Sequence, residues 1–316
     1  MVKRPRAHID EAALPGILDQ EASLNPFTSV AEQARKWLAA AVPALAPHIA
    51  GFPVSVFGLT GGFFYLTSAQ GRAWGMKDEA AADVLALQAL GHFHFAFHDI
   101  VIDEKQGPAV MCLLSDACLL SYLDGLAAMV PESAAAYGQL HRSYYNLYAA
   151  AIARDLAHRE RVHPYTADEI LGLGDKAAPG GTMLHLVADL AHRPGCAEPA
   201  VAALLRLCTG LQLLDDLHDC VADARVGNMT WPVTSALLAY PGLDVADAGA
   251  IMAAVVGSGA AGACLRIASQ AFGDALTLAE RADASALADL ARSWHERAET
   301  RVRRLSETLE SAGVPV

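Results

Sequence analysis

Apolar residues recur along this chain at intervals of three and four, and strand-like alternation is nearly absent. SVAEQARKWLAAAV (29–42) opens on Ser29 with Glu32 three positions on, the spacing of a capping box, and runs to Pro43. Prolines 43, 47 and 53 cut the following stretch into short pieces. A long, mostly apolar helix is predicted over 77–104 and a second over 109–129, ended by Pro131. A third is predicted over 134–163, stopped by Pro164, after which Thr166 and Glu169 form another capping pair. Residues 183–192 and 200–224 read as further helices, split by RPGC. The uncharged run GAIMAAVVGSGAAGACL (249–265) is rich in Gly and Ala and barely long enough to span a bilayer, so it reads as one or two tightly packed core helices. In the tail (285–309), Leu287, Leu290, Trp294, Ala298, Val302, Leu305 and Leu309 fall on one stripe. No solenoid-type repeat and no flexible linker interrupts this pattern, so one all-α domain over 1–316, a large bundle of buried helices, is predicted.

Composition supports a sizeable core: 53% of residues are hydrophobic and 18% charged. The net charge of −12 argues against a nucleic-acid or anionic-membrane binder, which needs a basic surface. No stable membrane insertion is expected. MVKRPRAHIDEAALPG lacks the apolar segment of a secretory signal. The six cysteines (112, 118, 196, 208, 220 and 264) show no CxxC pairing, so reduced thiols and a cytoplasmic location are expected.

Charge changes the picture at two places. In FHFAFHDIVIDEKQG (93–107), Asp99 and Asp103 are four apart and share a helix face, with Glu104 alongside. In GLQLLDDLHDCVADARVGN (210–228), Asp215, Asp219 and Asp223 step by four, and Asp216 lies three before Asp219. Each set sits at the C-terminal end of an apolar helix, where the helix dipole disfavours negative charge and like charges repel. Two such penalties in one chain suggest a compensating hard cation, and carboxylate oxygens suit Mg²⁺ shared with substrate phosphates. A zinc reading of His94 and His98, also four apart, lacks an HExxH pattern and a third ligand and leaves the second cluster unexplained.

At these motifs the sequence resembles the class I terpene synthase and trans-isoprenyl diphosphate synthase superfamily, over roughly residues 55–240. HDIVIDE is similar to the first aspartate-rich motif, with the adjacent Asp pair replaced by Asp99-Ile100. LQLLDDLHD resembles the second motif, with Gln212, Asp215, Asp216 and Asp219 in the expected places. GDKAAPGGTMLHLVADLA (174–191) resembles the segment holding a phosphate-contacting lysine, which would be Lys176. LLSDACLLSYL (113–123) looks like the helix after the first motif. DARVGNMTWPVTSAL (223–237) is similar to a downstream stretch of the family and echoes the second acidic motif of squalene and phytoene synthases. The resemblance implies an isoprenoid-synthase bundle with a central apolar cavity, and Mg²⁺ held by Asp99, Asp103, Glu104, Asp215, Asp216 and Asp219. It implies a prenyl diphosphate substrate, farnesyl or geranylgeranyl diphosphate, and admits a homodimer.

The departures select among reactions. Where chain-elongating members carry a Gly-Gly-Lys-Arg-like dock for a second diphosphate, this chain reads TGGFFYLTS (60–68), and Lys105-Gln106-Gly107 replaces an Arg-Arg-Gly. Aromatic faces there suit a carbocation better than a phosphate, so a terpene cyclase is the expected activity. Lys176 and Arg225 are the expected diphosphate donors. Phe63, Phe64, Phe93, Phe97, Tyr122, Tyr145 and Trp231 are the expected cavity lining. Arg301, Arg303 and Arg304 are the available stand-ins for a C-terminal phosphate sensor. The alternatives are an elongating synthase docking its second substrate on Arg72 and Lys77, a head-to-head squalene/phytoene-type condensing enzyme, and a non-catalytic synthase-like subunit.

Overall fold

A computed structural model describes residues 39, 42–47, 61–104, 110–159 and 161–311; within its helices, the side chains of 61–65, 78, 79, 81, 82, 86, 99, 100 and 102–104 lie outside the described set. The helix expected over 29–42 also lies outside it, except for residues 39 and 42. The described residues form twelve α-helices and no strand. These are α1 (Gly61–Ala73), α2 (Asp78–Glu104), α3 (Val110–Met129), α4 (Ala134–Arg159), α5 (Ala167–Leu171), α6 (Gly180–Leu190), α7 (Ala197–His218), α8 (Cys220–Val226), α9 (Trp231–Ala239), α10 (Ala248–Gly257), α11 (Ala260–Arg281) and α12 (Ser285–Ser311). Two 3₁₀ turns, Gly172–Ala177 and Pro194–Cys196, precede α6 and α7.

One continuous core runs from Leu66 in α1 to Leu309 in α12. At its centre α7 packs on α11. Gly210 makes the close approach possible, because a Cβ there would lie 2.5 Å from the ring of the fully buried Phe272. Leu207, Leu213 and Leu217 of α7 are essentially solvent-free, each contributing about 1.5–3 kcal/mol of burial. The predicted tail stripe is the inner face of α12: Leu287, Ala298, Leu305 and Leu309 are buried, and Leu290, Trp294 and Val302 pack against the core. A second cluster joins α2 to α3 through Phe93, Phe97, Met111, Leu114 and Cys118. By length and composition α3 could cross a bilayer, but Met111, Leu114, Cys118, Tyr122 and Leu126 are buried against the bundle, while Leu113 and Leu120 are exposed.

The first and last described helices are tied together. Gln70 Oε1 accepts hydrogen bonds from the backbone of Ala286 (3.0 Å) and Leu287 (3.4 Å), two of the orphan donors of α12's first turn. Trp74 Nε1 donates to the Asp283 carbonyl at 2.8 Å.

Two boundaries differ from the sequence expectation. First, α4 ends at Arg159, not 163; Pro164 cannot donate to the ladder and restricts His163, so the chain leaves the helix a turn early. Second, the 200–224 segment breaks at Asp219, which leaves helical geometry (φ −90°, ψ 3°), although Asp219 N still reaches Asp215 O at 2.9 Å. The Gly/Ala run forms two core helices, as expected, bent by 63° where Gly259 takes φ +80°. The capping box at Thr166 and Glu169 forms as expected. All six cysteines are free thiols.

Candidate active site

The second acidic cluster is built by one helix end. Leucines 213, 214 and 217 turn one face of α7 into the core, which carries Asp216 inward and leaves Asp215 exposed. Asp216 is 7% exposed, and Gln212 Nε2, one turn earlier, donates to its Oδ1 at 2.8 Å. Burial pushes its carboxyl up to about 7; Asp215 and Asp223 add repulsion, and Lys176 and Gln212 pull the other way. Asp223 is raised to about 6, first by burial and then by Asp219 and Asp215. Asn228 Nδ2 (2.9 Å to Oδ1) and Thr230 Oγ1 (3.4 Å to Oδ2) donate to it and oppose the rise. The half-exposed Asp219 sits at the α7–α8 break. Four crowded carboxyls, two of them raised toward neutral pH by burial and mutual repulsion, are a donor set that a hard divalent cation fits.

Lys176 approaches this cluster from the 172–177 turn. Its Nζ donates to Asp155 Oδ2 at 3.1 Å, and it is the largest attractive influence on Asp216. The turn is pressed onto α7 at Gly174, where a Cβ would lie 2.0 Å from the Leu205 carbonyl oxygen. Arg154 Nη2 fixes the start of the turn by donating to the Gly172 carbonyl at 2.8 Å. Asp155 also accepts from Arg159 Nη2 at 2.8 Å; burial works against its ionisation, but Lys176 and Arg159 outweigh it and hold it below the usual range. Tyr165 donates to the Met229 carbonyl at 2.9 Å, linking the α4–α5 connection to the segment before Trp231. A small cleft lies between these groups, lined by Arg154, Asp155, His158, Tyr165, Glu169 and Lys176. Sequence reading missed Asp155, although RDLAHR (154–159) places an acid one turn before an arginine at a helix end.

The other expected site residues fall as follows. Phe63, Phe64, Asp99, Asp103 and Glu104 have side chains outside the described set. Phe93 and Phe97 stack at 6.2 Å between centroids and are packed solid against α3. Tyr122 is fully buried, its ring 5.0 Å from that of His141. Tyr145 is half-buried on α4, 6.3 Å from Phe95 of α2. Trp231 is half-buried at the first position of α9. Arg225 is exposed and donates to the Ala246 carbonyl at 3.3 Å. Arg301 is half-buried, and Arg303 and Arg304 are exposed on α12. Arg72 and Lys77 are exposed around the α1–α2 turn. His94 is a hydrogen-bonded core residue, its Nδ1 2.8 Å from Ser115 Oγ, and burial lowers it to about 4.

The architecture and the acidic end of α7 define an all-α fold of the class I isoprenoid-synthase type. Solved structures place it there. The chain is similar to a polyprenyl synthase from Caulobacter crescentus complexed with calcium and isoprenyl diphosphate (TM-score 0.67, 18% identity, covering 88% of this chain and 98% of that one). It is also similar to the geranylgeranyl pyrophosphate synthases of Lactobacillus brevis (0.63, 19%, 90% and 98%) and Pyrococcus horikoshii (0.63, 16%, 86% and 98%). No family model and no curated protein matches the sequence.

The raised carboxyls make a pH-dependent prediction. Carboxyls in the unfolded chain titrate near 3.8 to 3.9, so Asp216 and Asp223 bind more protons folded than unfolded between about pH 4 and pH 7. Their contribution to stability is present at low pH and lost as pH rises through that window. Buried His92, His94 and His141, lowered to about 4, act in the opposite sense. The readout is therefore the change in Tm on adding Mg²⁺ at each pH. It is expected to be large at pH 8 and small at pH 5; equal shifts would remove the cluster from cation binding.

Proposed function

We propose that the chain is a Mg²⁺-dependent enzyme acting on prenyl diphosphates, with chain elongation of an allylic diphosphate by isopentenyl diphosphate as its reaction. The observation that carries the proposal is the electrostatic pull of Lys176, paired to Asp155, on the buried Asp216, on a fold whose solved neighbours are prenyl diphosphate synthases. Asp215, Asp216 and Asp219, with Asp99, Asp103 and Glu104 of α2, would hold the ions. When bound, Mg²⁺ would neutralise the charge of a departing diphosphate. Lys176 releases Asp155 to donate to a diphosphate oxygen, and Gln212 orients the Asp216 carboxyl. The C–O bond of the allylic substrate breaks with its electron pair leaving on the diphosphate; the isopentenyl double bond then forms the new C–C bond to the allylic carbon, and the adduct loses a proton, which the released diphosphate can take.

A second reading, cyclisation of a single substrate, rests on one observation: Phe63-Phe64 and Lys105-Gln106-Gly107 stand where the second diphosphate's basic dock belongs. One experiment separates the two. C10, C15, C20 and C25 allylic diphosphates are incubated with the protein and Mg²⁺, first alone and then with isopentenyl diphosphate. Longer diphosphates formed only in the second mixture establish elongation; a hydrocarbon or alcohol in the first establishes the cyclase. No diphosphate release in either mixture sinks both readings and leaves a non-catalytic subunit.

A further inference from the structure

A second cluster of ligating side chains lies beside the cleft and plays no part in the reaction above. His158 stands on the last turn of α4, and His163 lies in the connection just beyond it. Their Nε2 atoms converge on a single oxygen, Oε1 of Glu169 in α5, at 3.2 and 3.7 Å. One ligand atom from each of the three lies within 4.8 Å of the others. In a tetrahedral zinc site with bonds of about 2.0–2.1 Å, ligand atoms stand roughly 3.3 Å apart.

The surroundings hold this arrangement. Glu169 Oε2 is committed to the capping box, accepting from Thr166 N at 2.7 Å and Thr166 Oγ1 at 2.9 Å, which aims Oε1 at the imidazoles. The His158 and His163 rings lie 3.9 Å apart, and the Tyr165 ring flanks both at 5.0 and 4.8 Å. Both ring nitrogens of His163 are buried and make no hydrogen bond; its 3.7 Å approach to Glu169 is too long for one. His158 is held below its ordinary value first by burial and then by His163. Glu169 is held low by the Thr166 backbone donor, so it is ionised. Two imidazoles and a carboxylate are donors that a divalent transition metal takes.

We propose that His158, His163 and Glu169 form a zinc-type transition-metal site, separate from the all-oxygen set on α7. Imidazole donors select zinc, cobalt or nickel over Mg²⁺. His158 and Glu169 also line the Lys176 cleft, so an open fourth position is reached from that side. The ion joins the end of α4 to the start of α5, and with it the turn that carries Lys176.

The test uses the full chain, stripped with chelator and titrated with Co²⁺ in excess Mg²⁺ to occupy the oxygen donors. One equivalent is expected to bind with the intense visible absorption of four-coordinate Co²⁺, to be displaced by Zn²⁺, and to raise Tm. His163→Ala removes a ligand that makes no hydrogen bond. Glu169→Gln keeps an acceptor for Thr166 and removes the charge. Each is expected to weaken binding roughly tenfold or more. Absence of the absorption in the unsubstituted protein, or an isotherm unchanged in both variants, overturns the site. No prenyl substrate enters the measurement, so its failure leaves the proposed reaction untouched.

Discussion

Gly174→Ala is expected to destabilise the fold by about 3 kcal/mol or more, at the upper end of overpacking effects, and to abolish any Lys176-dependent activity. The added methyl would lie 2.0 Å from the Leu205 carbonyl oxygen, 2.5 Å from Thr209 Oγ1 and 2.9 Å from the Thr209 amide nitrogen. Two of those atoms are helix backbone and cannot swing aside. Thr209 is itself fixed by donating to the Leu171 carbonyl at 2.9 Å, so the turn must lift off α7. Lys176, two residues on, then leaves the neighbourhood of Asp216. Gly195→Ala is the control, since its added Cβ meets nothing within 4 Å. Urea midpoints for the two variants read the difference. Equal midpoints would mean that the turn does not sit against α7 as described.

Asp216→Asn is expected to do the reverse: to raise stability at pH 8 while lowering kcat roughly 10²–10³-fold, the scale of losing one charge-stabilising group in an active site. At pH 8 the folded protein ionises a carboxyl whose burial holds it near 7, at a cost that asparagine avoids. The gain is on the order of 1–3 kcal/mol, after allowing for the attraction of Lys176 that is lost. At pH 5 the native carboxyl stays protonated while the unfolded one is ionised, so the gap should shrink to a fraction of its pH 8 value. Paired melts at both pH values, beside diphosphate release at pH 8, check this. A variant destabilised at pH 8 would make Asp216 a structural anchor rather than a cation ligand.

How much of this was legible beforehand follows from the physics of each element. The boundaries of α2, α3 and α12 could be read because proline stops and apolar spacing are local. The Asp219 break was not readable, since nothing in DDLHDCVAD distinguishes a helix that continues from one that turns within a single residue. At Asp215, Asp216 and Asp219 the spacing gave the cluster, and the resemblance added Gln212. That Asp216 turns inward and Asp215 outward follows from the leucines flanking them. Asp155, His158, His163 and Glu169 escaped because their meeting depends on the chain leaving α4 early and doubling back at Pro164. Phe93 and Phe97 show the limit of a periodicity argument: the apolar face it identifies is filled by α3, and the pattern cannot distinguish a packed partner from a substrate.

The bond between Gln70 and the start of α12 bears on how this polypeptide comes into being on the ribosome. The amide that seats α1 waits for backbone donors more than two hundred residues downstream. The nascent chain therefore cannot close its bundle until the last helix has emerged from the exit tunnel. Until then Gln70 Oε1 lacks the two amide donors that it meets in the finished molecule.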